Sequence, residues 1–157
     1  MKIQSAVRKL HLCYGHRVMD HESKCATLHG HNGIIWVHAV AKDGLDQLGR
    51  VIDFSVLKQK IGSWVDENWD HTMILNKSDK QTIELVNQAP SFKDIYILPT
   101  NPTAENLASY LLYEICPMLL KDELVMIYKI VFHETENCYC ECSLDPNSEE
   151  LKKLYQK

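Results

Sequence analysis

Nine residues near the N-terminus, KCATLHGHN at positions 24–32, bring together side chains that bind metals or move protons. Cys25 is followed by His29 and His31, so one thiol and two imidazoles lie close together. Successive side chains of a strand point to opposite faces, and His29 and His31 therefore project from one face with Gly30 between them. Two such imidazoles can bind one metal ion, but that ion needs at least one further ligand.

His16 is the candidate for the third ligand. It ends the first predicted strand, and a hairpin with the next strand would place it beside His29 and His31. Three neutral imidazoles suit Zn²⁺ and leave one position open for substrate or water, as in catalytic sites. Cys25 is an alternative fourth ligand, which would close a purely structural site. The other histidines considered as ligands are interpreted as ordinary surface or strand residues: His11, His21, His38 and His133.

Two strands are predicted in the first part of the chain. Residues 3–16 alternate, with Leu10, Leu12 and Tyr14 on one face, and residues 29–41 are rich in Ile, Val and Trp. These two strands would carry the three histidines.

Two helices are predicted in the middle of the chain. The first covers 53–68, where Asp53 is a candidate N-cap and apolar residues recur at helical spacing. The second begins at NPTAENLASYLLYEI, with Asn101 as a candidate cap and Pro102 in the first turn. Residues 77–101 show no regular pattern apart from the short apolar run IYIL.

Residues 124–134 and 137–143 predict two more strands, and 145–157 form a polar tail of helical character. The order of two strands, two helices and two strands indicates an α+β fold, with a four-stranded antiparallel sheet and two helices on one face. A single domain over 1–157 is predicted, with its core at about 3–144. Pairing between subunits would cover the two open edges of such a sheet.

The composition is that of an ordinary globular protein, with 45% hydrophobic and 24% charged residues. A formal charge of −4 argues against a general nucleic-acid binder, although an anionic small substrate remains compatible. The most apolar segment, LASYLLYEICPMLL, contains Glu114 and is too short to span a bilayer. The N-terminus does not resemble a signal peptide, and the six cysteines are interpreted as reduced thiols. These features predict a cytoplasmic protein without membrane or nucleic-acid partners.

Five motifs occur in order along the chain: CATLHGHN, VIDFSVLK, WDHTMILN, NPTAENLA and FHETEN. In this order and at these spacings they closely resemble the 6-pyruvoyltetrahydropterin synthase family, which includes the bacterial 6-carboxytetrahydropterin synthases of queuosine biosynthesis. The resemblance covers residues 10–143. It implies an α+β unit that assembles into trimers closing a β-barrel, often doubled to homohexamers, with active sites at subunit interfaces.

The resemblance assigns zinc binding to His16, His29 and His31, the trio that strand geometry also selects. It assigns Cys25 as a proton acceptor rather than a ligand. A thiol becomes a usable thiolate more readily beside a cation, and Lys24 and the zinc ion are the candidate cations.

Asp70 and His71 match the family's aspartate–histidine pair, in which the carboxylate holds the imidazole in one tautomer for proton transfer. Glu134 corresponds to the glutamate that anchors the pterin and joins the proton relay, because a carboxylate accepts two parallel hydrogen bonds from the ring N–H and amino groups. Glu105 has an alternative role as a favourable charge in the first turn of a helix. The resemblance also places further residues near the pterin: Thr103, Glu105 and Thr135.

A triphosphate needs cationic partners, and Arg17, Lys24 and Lys9 are the candidates. The chain departs from the usual family pattern at His133, where a lysine is common. A run of thiols, CYCEC, could hold a metal, but alternation of small apolar residues is the favoured interpretation: Cys138, Cys140 and Cys142.

The function that the resemblance favours is that of a 6-carboxy-5,6,7,8-tetrahydropterin synthase, which converts 7,8-dihydroneopterin triphosphate to 6-carboxytetrahydropterin, acetaldehyde and triphosphate. The nearest rival is 6-pyruvoyltetrahydropterin synthase, which eliminates triphosphate and keeps the two-carbon unit. A third member type uses a glutamate at the position of Cys25 and is disfavoured here. From a different class, a zinc- or pterin-binding module without turnover is disfavoured by the intact Cys25, Asp70, His71 and Glu134.

Overall fold

The structure is a computed structural model that describes residues 2–156. Six strands form a single sheet in the order β4-β3-β1-β2-β5-β6. The strands are β1 (Ser5–His16), β2 (His29–Ala41), β3 (Thr72–Asn76), β4 (Tyr96–Leu98), β5 (Val125–His133) and β6 (Tyr139–Ser143). Helices pack against the sheet, which confirms the predicted α+β class.

The sheet has two more strands than predicted, and it is mixed rather than wholly antiparallel. β1, β2, β5 and β6 pair antiparallel, whereas β3 pairs parallel to β1 and β4 pairs parallel to β3. β3 is almost wholly buried and β4 is very short, so neither shows the alternation that identifies a half-buried strand. The prediction of a four-stranded sheet was therefore wrong in strand number. The four predicted strands do pair antiparallel, and the two additional strands make the sheet mixed.

The helical segments are α1 (Phe54–Leu57), α2 (Ser63–Asn68), α3 (Lys80–Asn87), α4 (Ala104–Tyr110), α5 (Cys116–Leu120) and α6 (Glu149–Leu154). A π-helical turn, Lys58–Gly62, joins α1 to α2, so together they form the first predicted helix. A second π-helical turn, Leu111–Ile115, joins α4 to α5. Asp53 caps α1 as predicted, because its carboxylate accepts a hydrogen bond from the Ser55 N–H at 2.9 Å.

The N-cap of α4 is Thr103 and not the predicted Asn101. The Thr103 hydroxyl accepts a hydrogen bond from the Asn106 N–H at 3.2 Å. The Asn101 side chain is engaged elsewhere, since its amide donates to the Met19 carbonyl at 2.9 Å and its oxygen accepts from the Asn76 amide at 3.1 Å. Asn101 thus ties the loop after β1 to the end of β3.

The core lies between the sheet and the helices. Leu10, Leu12 and Tyr14 are buried on one face of β1, as their alternation predicted. The predicted polar tail also contributes to this core through Leu151 and Tyr155, and the Tyr155 hydroxyl accepts a hydrogen bond from the backbone of β5. Within residues 2–156, no helix combines the length and apolar character needed to cross a membrane.

Candidate metal and catalytic site

Three histidines converge where the β1–β2 hairpin meets the second half of the chain. The strand register pairs His16 with His29 and Tyr14 with His31, which brings all three imidazoles to one face. One ring nitrogen from each lies within 4.8 Å of the others. His16 is only 1% exposed, whereas His29 and His31 face the surface more. The trio predicted from strand geometry therefore forms a real cluster.

The hydrogen bonds behind the cluster fix its tautomers. Nδ1 of His16 lies 2.7 Å from the Pro102 carbonyl, and Nδ1 of His29 lies 2.6 Å from the Thr27 carbonyl. A carbonyl can only accept, so each Nδ1 carries the proton and each neutral ring leaves a lone pair on Nε2. In metal sites, backbone carbonyls that accept a hydrogen bond from the other ring nitrogen orient the imidazole ligands in the same way.

The two Nε2 atoms of His16 and His29 face each other at 3.1 Å. Neither has a proton to share in these tautomers, so their lone pairs repel unless a cation lies between them. Two imidazole nitrogens on a tetrahedral zinc ion, with bonds of about 2.0–2.1 Å, are roughly 3.3 Å apart. The spacing therefore fits a shared metal ion.

His31 supplies a third free nitrogen. Its Nε2 is buried and has no hydrogen-bond partner within the described chain, and it lies 3.9 Å from Oε2 of Glu134. An unpaired buried nitrogen is costly, and a metal ion would satisfy it. Three imidazoles form a donor set suited to zinc and similar divalent ions. The residues present thus fit a metal ion.

Two histidines of the cluster, His16 and His31, are also held in the neutral form that binds a metal ion. Burial lowers the pKa of His16 to about 4; the hydrogen bond to Pro102 opposes this shift, and the neighbouring His29 and His31 add to it. Burial likewise lowers the pKa of His31, with Glu134 opposing. Both rings are therefore neutral at neutral pH, as metal ligation requires.

We expect the metal-free protein to lose stability as the pH falls from 6.5 towards about 4. In this window the unfolded chain binds a proton on His16 and the folded chain does not, so acidification favours unfolding. A pKa shift of this size corresponds to roughly 3 kcal/mol. Urea unfolding at several pH values in this window would measure the slope of the free energy of unfolding against pH. The slope would be compared in the wild type, in His16→Gln and in the control His11→Gln, which replaces an exposed histidine of the same strand. Identical slopes in the wild type and His16→Gln would contradict this expectation.

Cys25 and Glu134 share a cavity beside the histidines. This cavity of about 210 Å³ is also lined by Thr103 and Glu105, so it gathers four predicted site residues. Glu134 connects the cavity to the metal cluster, because its Oε1 lies 3.8 Å from Nε2 of His16. A thiol, a carboxylate and a candidate metal site therefore adjoin one small space.

Asp70 and His71 form a hydrogen-bonded pair at the turn between α2 and β3. Nδ1 of His71 lies 2.7 Å from Oδ2 of Asp70, and Oδ1 of Asp70 accepts a bond from the Cys13 N–H at 2.7 Å. Burial alone would raise the pKa of Asp70. The hydrogen bonds from Cys13 and His71, together with the nearby Lys93, nevertheless hold it below its usual range. The carboxylate is therefore charged and can fix the tautomer of His71.

His71 lines a different cavity from Cys25. This larger groove, of about 730 Å³, is bounded by His29, His31 and apolar residues such as Met73 and Val86. Within the described single chain, His71 and the predicted base Cys25 thus line separate cavities. The sequence did not indicate this separation.

Arg17, a predicted triphosphate ligand, has several hydrogen-bond partners within the chain. Its guanidinium donates to the Asp79 carboxylate at 2.9 Å, to the Thr82 hydroxyl at 2.9 Å and to the Ala26 carbonyl at 2.7 Å. With these partners it fastens the loop that carries Cys25 to α3, and its charge is neutralised by a buried aspartate. The predicted role of Arg17 in holding a triphosphate stays a prediction, and these partners give it a structural role as well.

The other predicted contacts lie around the rim. Lys24 is exposed on a short 3₁₀ turn, and Glu105 is exposed in the first turn of α4. The hydroxyl of Thr135 accepts a hydrogen bond from the Asn137 N–H at 3.2 Å, which shapes the loop after Glu134. The ammonium of Lys9 instead lies over the Trp36 ring, 5.4 Å from its centre.

Cys140 and Cys142 lie on β6 and pack against the hydrophobic core, whereas Cys138 precedes the strand and is exposed. Among residues 2–156, the three histidines are the only grouping of three metal-binding side chains with converging ligand atoms. Burial raises the pKa of Cys140 to about 11, so this thiol stays protonated at neutral pH. For Cys140 and Cys142 this packing agrees with the interpretation as small apolar residues.

Sequence analysis missed several residues that shape the site. Pro102 and Thr27 act through backbone carbonyls, which any residue type could supply. Lys93 contacts the turn of Asp70 from a segment without a regular pattern. None of them carries a local sequence signal for its role.

Comparison with known proteins defines the class to which this fold and site belong. The profile of the 6-pyruvoyl tetrahydropterin synthase family matches residues 5–145, and the chain belongs to this family. The prediction from the five motifs is thereby confirmed.

Two relatives that carry the same name illustrate the similarity within the family. A protein of Rickettsia conorii named 6-carboxy-5,6,7,8-tetrahydropterin synthase is 38% identical over 134 residues, covering 85% of this chain and 96% of the relative. A protein of Rickettsia bellii with the same name is 39% identical over the same coverage.

Solved structures agree on the fold. A crystal structure of an uncharacterized protein from Wolinella succinogenes superposes with a TM-score of 0.75 at 23% identity, covering 92% of this chain and 100% of the other. The 6-pyruvoyl tetrahydropterin synthase of Caenorhabditis elegans gives a TM-score of 0.62 at 22% identity, covering 92% and 98%. At these identities the likeness supports the architecture alone.

Proposed function

We propose that this protein is a zinc-dependent 6-carboxy-5,6,7,8-tetrahydropterin synthase that acts on 7,8-dihydroneopterin triphosphate in the cytoplasm. The proposed products are 6-carboxytetrahydropterin, acetaldehyde and triphosphate, and the proposed pathway is queuosine biosynthesis. The observation that carries the proposal is the convergence of three imidazoles close to Glu134, which shares a cavity with Cys25. The names of the Rickettsia relatives support the choice of product.

In this proposal His16, His29 and His31 hold the zinc ion, while Cys25 stays outside the ligand set. A zinc ion bound there supplies a Lewis acid that polarises substrate oxygens. Cys25 lines a cavity that none of the three histidines lines, which supports its role as a base rather than a metal ligand. A base must keep its thiolate free to accept a proton.

Glu134 is proposed to bind the pterin ring. Its carboxylate is 26% exposed and lies at the boundary between the cavity and the histidines. A half-buried carboxylate can accept two parallel hydrogen bonds from a ring N–H and an amino group, which is directional recognition. Thr103, Glu105 and Thr135 would then form the surroundings of the ring, with Lys24 near the substrate's anionic tail.

Cys25 is proposed to take a proton from the substrate side chain, and the Asp70–His71 pair to relay protons. In one chain, however, His71 and Cys25 line different cavities. A second copy could bring its own pair to the cavity of Cys25. This geometry supports a trimer or hexamer with sites at subunit interfaces.

Light scattering of the purified protein at micromolar concentration should therefore give the mass of a trimer or hexamer. Pairing between chains would cover the open edges of β4 and β6, which favours such an assembly. A mass equal to one chain would contradict the shared-site geometry.

Mass analysis of the products made from 7,8-dihydroneopterin triphosphate tests the proposed function. The expected product is 6-carboxytetrahydropterin. A product that keeps the two-carbon unit would identify the pyruvoyl-forming rival instead. Zinc and pterin binding without any product would identify a non-catalytic module.

A further inference from the structure

The turn that carries Asp70 and His71 adopts a conformation that needs support. His71 has φ of 55°, in the left-handed region that most residues avoid. Such a residue persists only where its surroundings hold it in place, at a cost of roughly 1–3 kcal/mol. This backbone conformation sets the direction of the Cα–Cβ bond of His71.

The peptide unit between Asp70 and His71 is held at both of its polar atoms. Its N–H, from His71, donates to the Cys13 carbonyl at 2.6 Å. Its carbonyl, from Asp70, accepts a hydrogen bond from Nζ of Lys93 at 2.6 Å. Lys93 and Cys13 of β1 therefore bind the two polar atoms of this peptide unit. Together they fix the peptide plane that lies between the side chains of Asp70 and His71.

Lys93 also binds the end of α2, the helix that precedes the turn of Asp70 and His71. Its ammonium donates to the carbonyl of Asp66, in the last turn of α2. Carbonyls at a helix C-terminus lack partners within the helix and attract cations. A single ammonium thus joins the end of α2 to the peptide before His71.

The segment that presents Lys93 is itself anchored. On one side α3 is fastened to Arg17 through Asp79 and Thr82. On the other side β4 lies in the sheet, and between them the Ser91 hydroxyl donates to the Lys93 carbonyl at 2.6 Å. The segment that carries Lys93 is therefore held in place on both sides of this residue.

We propose that Lys93 is a positioning residue that holds the peptide between Asp70 and His71, and so aims the His71 imidazole into the groove beside His29 and His31. This inference rests on the proposed function, in which Asp70 and His71 relay protons. Lys93 contacts backbone carbonyls of the turn, so it acts on the reaction through His71.

Lys93→Met keeps the aliphatic stem and removes both hydrogen bonds, whereas Lys93→Arg keeps a cation. We expect kcat of Lys93→Met to fall roughly 10- to 100-fold, because small misplacements of a catalytic group have effects of this size. KM and metal content should change little, and Lys93→Arg should recover much of the loss. The exposed Lys77→Met is the matched control and should behave like the wild type.

A double-mutant comparison separates positioning from general destabilisation. In a His71→Ala background, Lys93→Met should cause no further loss of kcat, because its effect acts through the absent imidazole. A full additional loss in that background, or unchanged kcat in the single variant, would overturn the inference.

Amide hydrogen exchange gives a readout that does not need turnover. The His71 amide, bonded to Cys13, should exchange at least about tenfold faster in Lys93→Met than in the wild type or Lys77→Met. Unchanged exchange would overturn the inference. Faster exchange in a protein whose wild type forms no product would support Lys93 as the positioning residue and refute the proposed function.

Discussion

Replacing Cys25 with alanine should leave the protein folded and metal-loaded but reduce turnover by a factor on the order of 10² to 10⁴, the usual size of a general-base contribution. The three imidazoles that fit a metal ion do not include this residue. Cys25 instead lines the cavity that contains Glu134, where a substrate proton would be removed. Pterin binding through Glu134 should survive the change.

Zinc content, thermal midpoint and product formation should be measured on one preparation of Cys25→Ala. Cys142→Ala, which removes another half-buried thiol from outside this cavity, is the matched control and should keep its activity. If Cys25 instead closes a structural site, its loss should remove zinc and lower the midpoint together. That joint loss would show that the thiol is a ligand.

Alanine at His29 or His31 should remove most of the bound metal, from about one ion per chain in the wild type. Each substitution leaves two imidazoles, which bind zinc far more weakly than three. Turnover should fall with the metal. The effect should arise without unfolding, because neither ring belongs to the buried hydrophobic core.

Metal analysis after dialysis would test this expectation, with His38→Ala as the control. His38 lies further along the same strand, where its ring packs edge-on against Tyr128 at 6.1 Å rather than against the cluster. His38→Ala should keep its full metal content. Full zinc in both His29→Ala and His31→Ala would refute the ligand assignment.

The metal cluster was predictable because its geometry is local. His29 and His31 share a face through strand alternation, and a hairpin brings His16 opposite His29. The spacing of these residues along two adjacent strands contains almost all of the information needed. The five motifs indicated the family, which is confirmed, and the resemblance assigned roles to Cys25 and Glu134 that stay predictions.

The parts that sequence could not predict depend on long-range packing. β3 and β4 join the sheet by parallel pairing with strands distant in sequence. β3 is almost wholly buried and β4 has only three residues, so neither shows a recognisable period. α3 lies in the same unpatterned region. As a result, the supports that this region provides were missed, including the bond from Lys93 to the turn of Asp70.

The contacts of Arg17 show that the partners of a single side chain also depend on long-range packing. Next to His16 and near Cys25, its charge suggested a triphosphate ligand, but the fold offers it the buried carboxylate of Asp79. A cation's partner depends on what the rest of the chain brings beside it. Sequence alone could name Arg17 as a cation but not choose between these partners.

The most direct measurement of the central claim is the release of acetaldehyde from 7,8-dihydroneopterin triphosphate by metal-free protein titrated with Zn²⁺. If the three histidines form a zinc site that serves this reaction, acetaldehyde should be absent at first. It should then rise in proportion to zinc and level off at about one ion per chain. Acetaldehyde release at the full rate without zinc, or no acetaldehyde at any zinc concentration, would contradict the proposed zinc-dependent synthase.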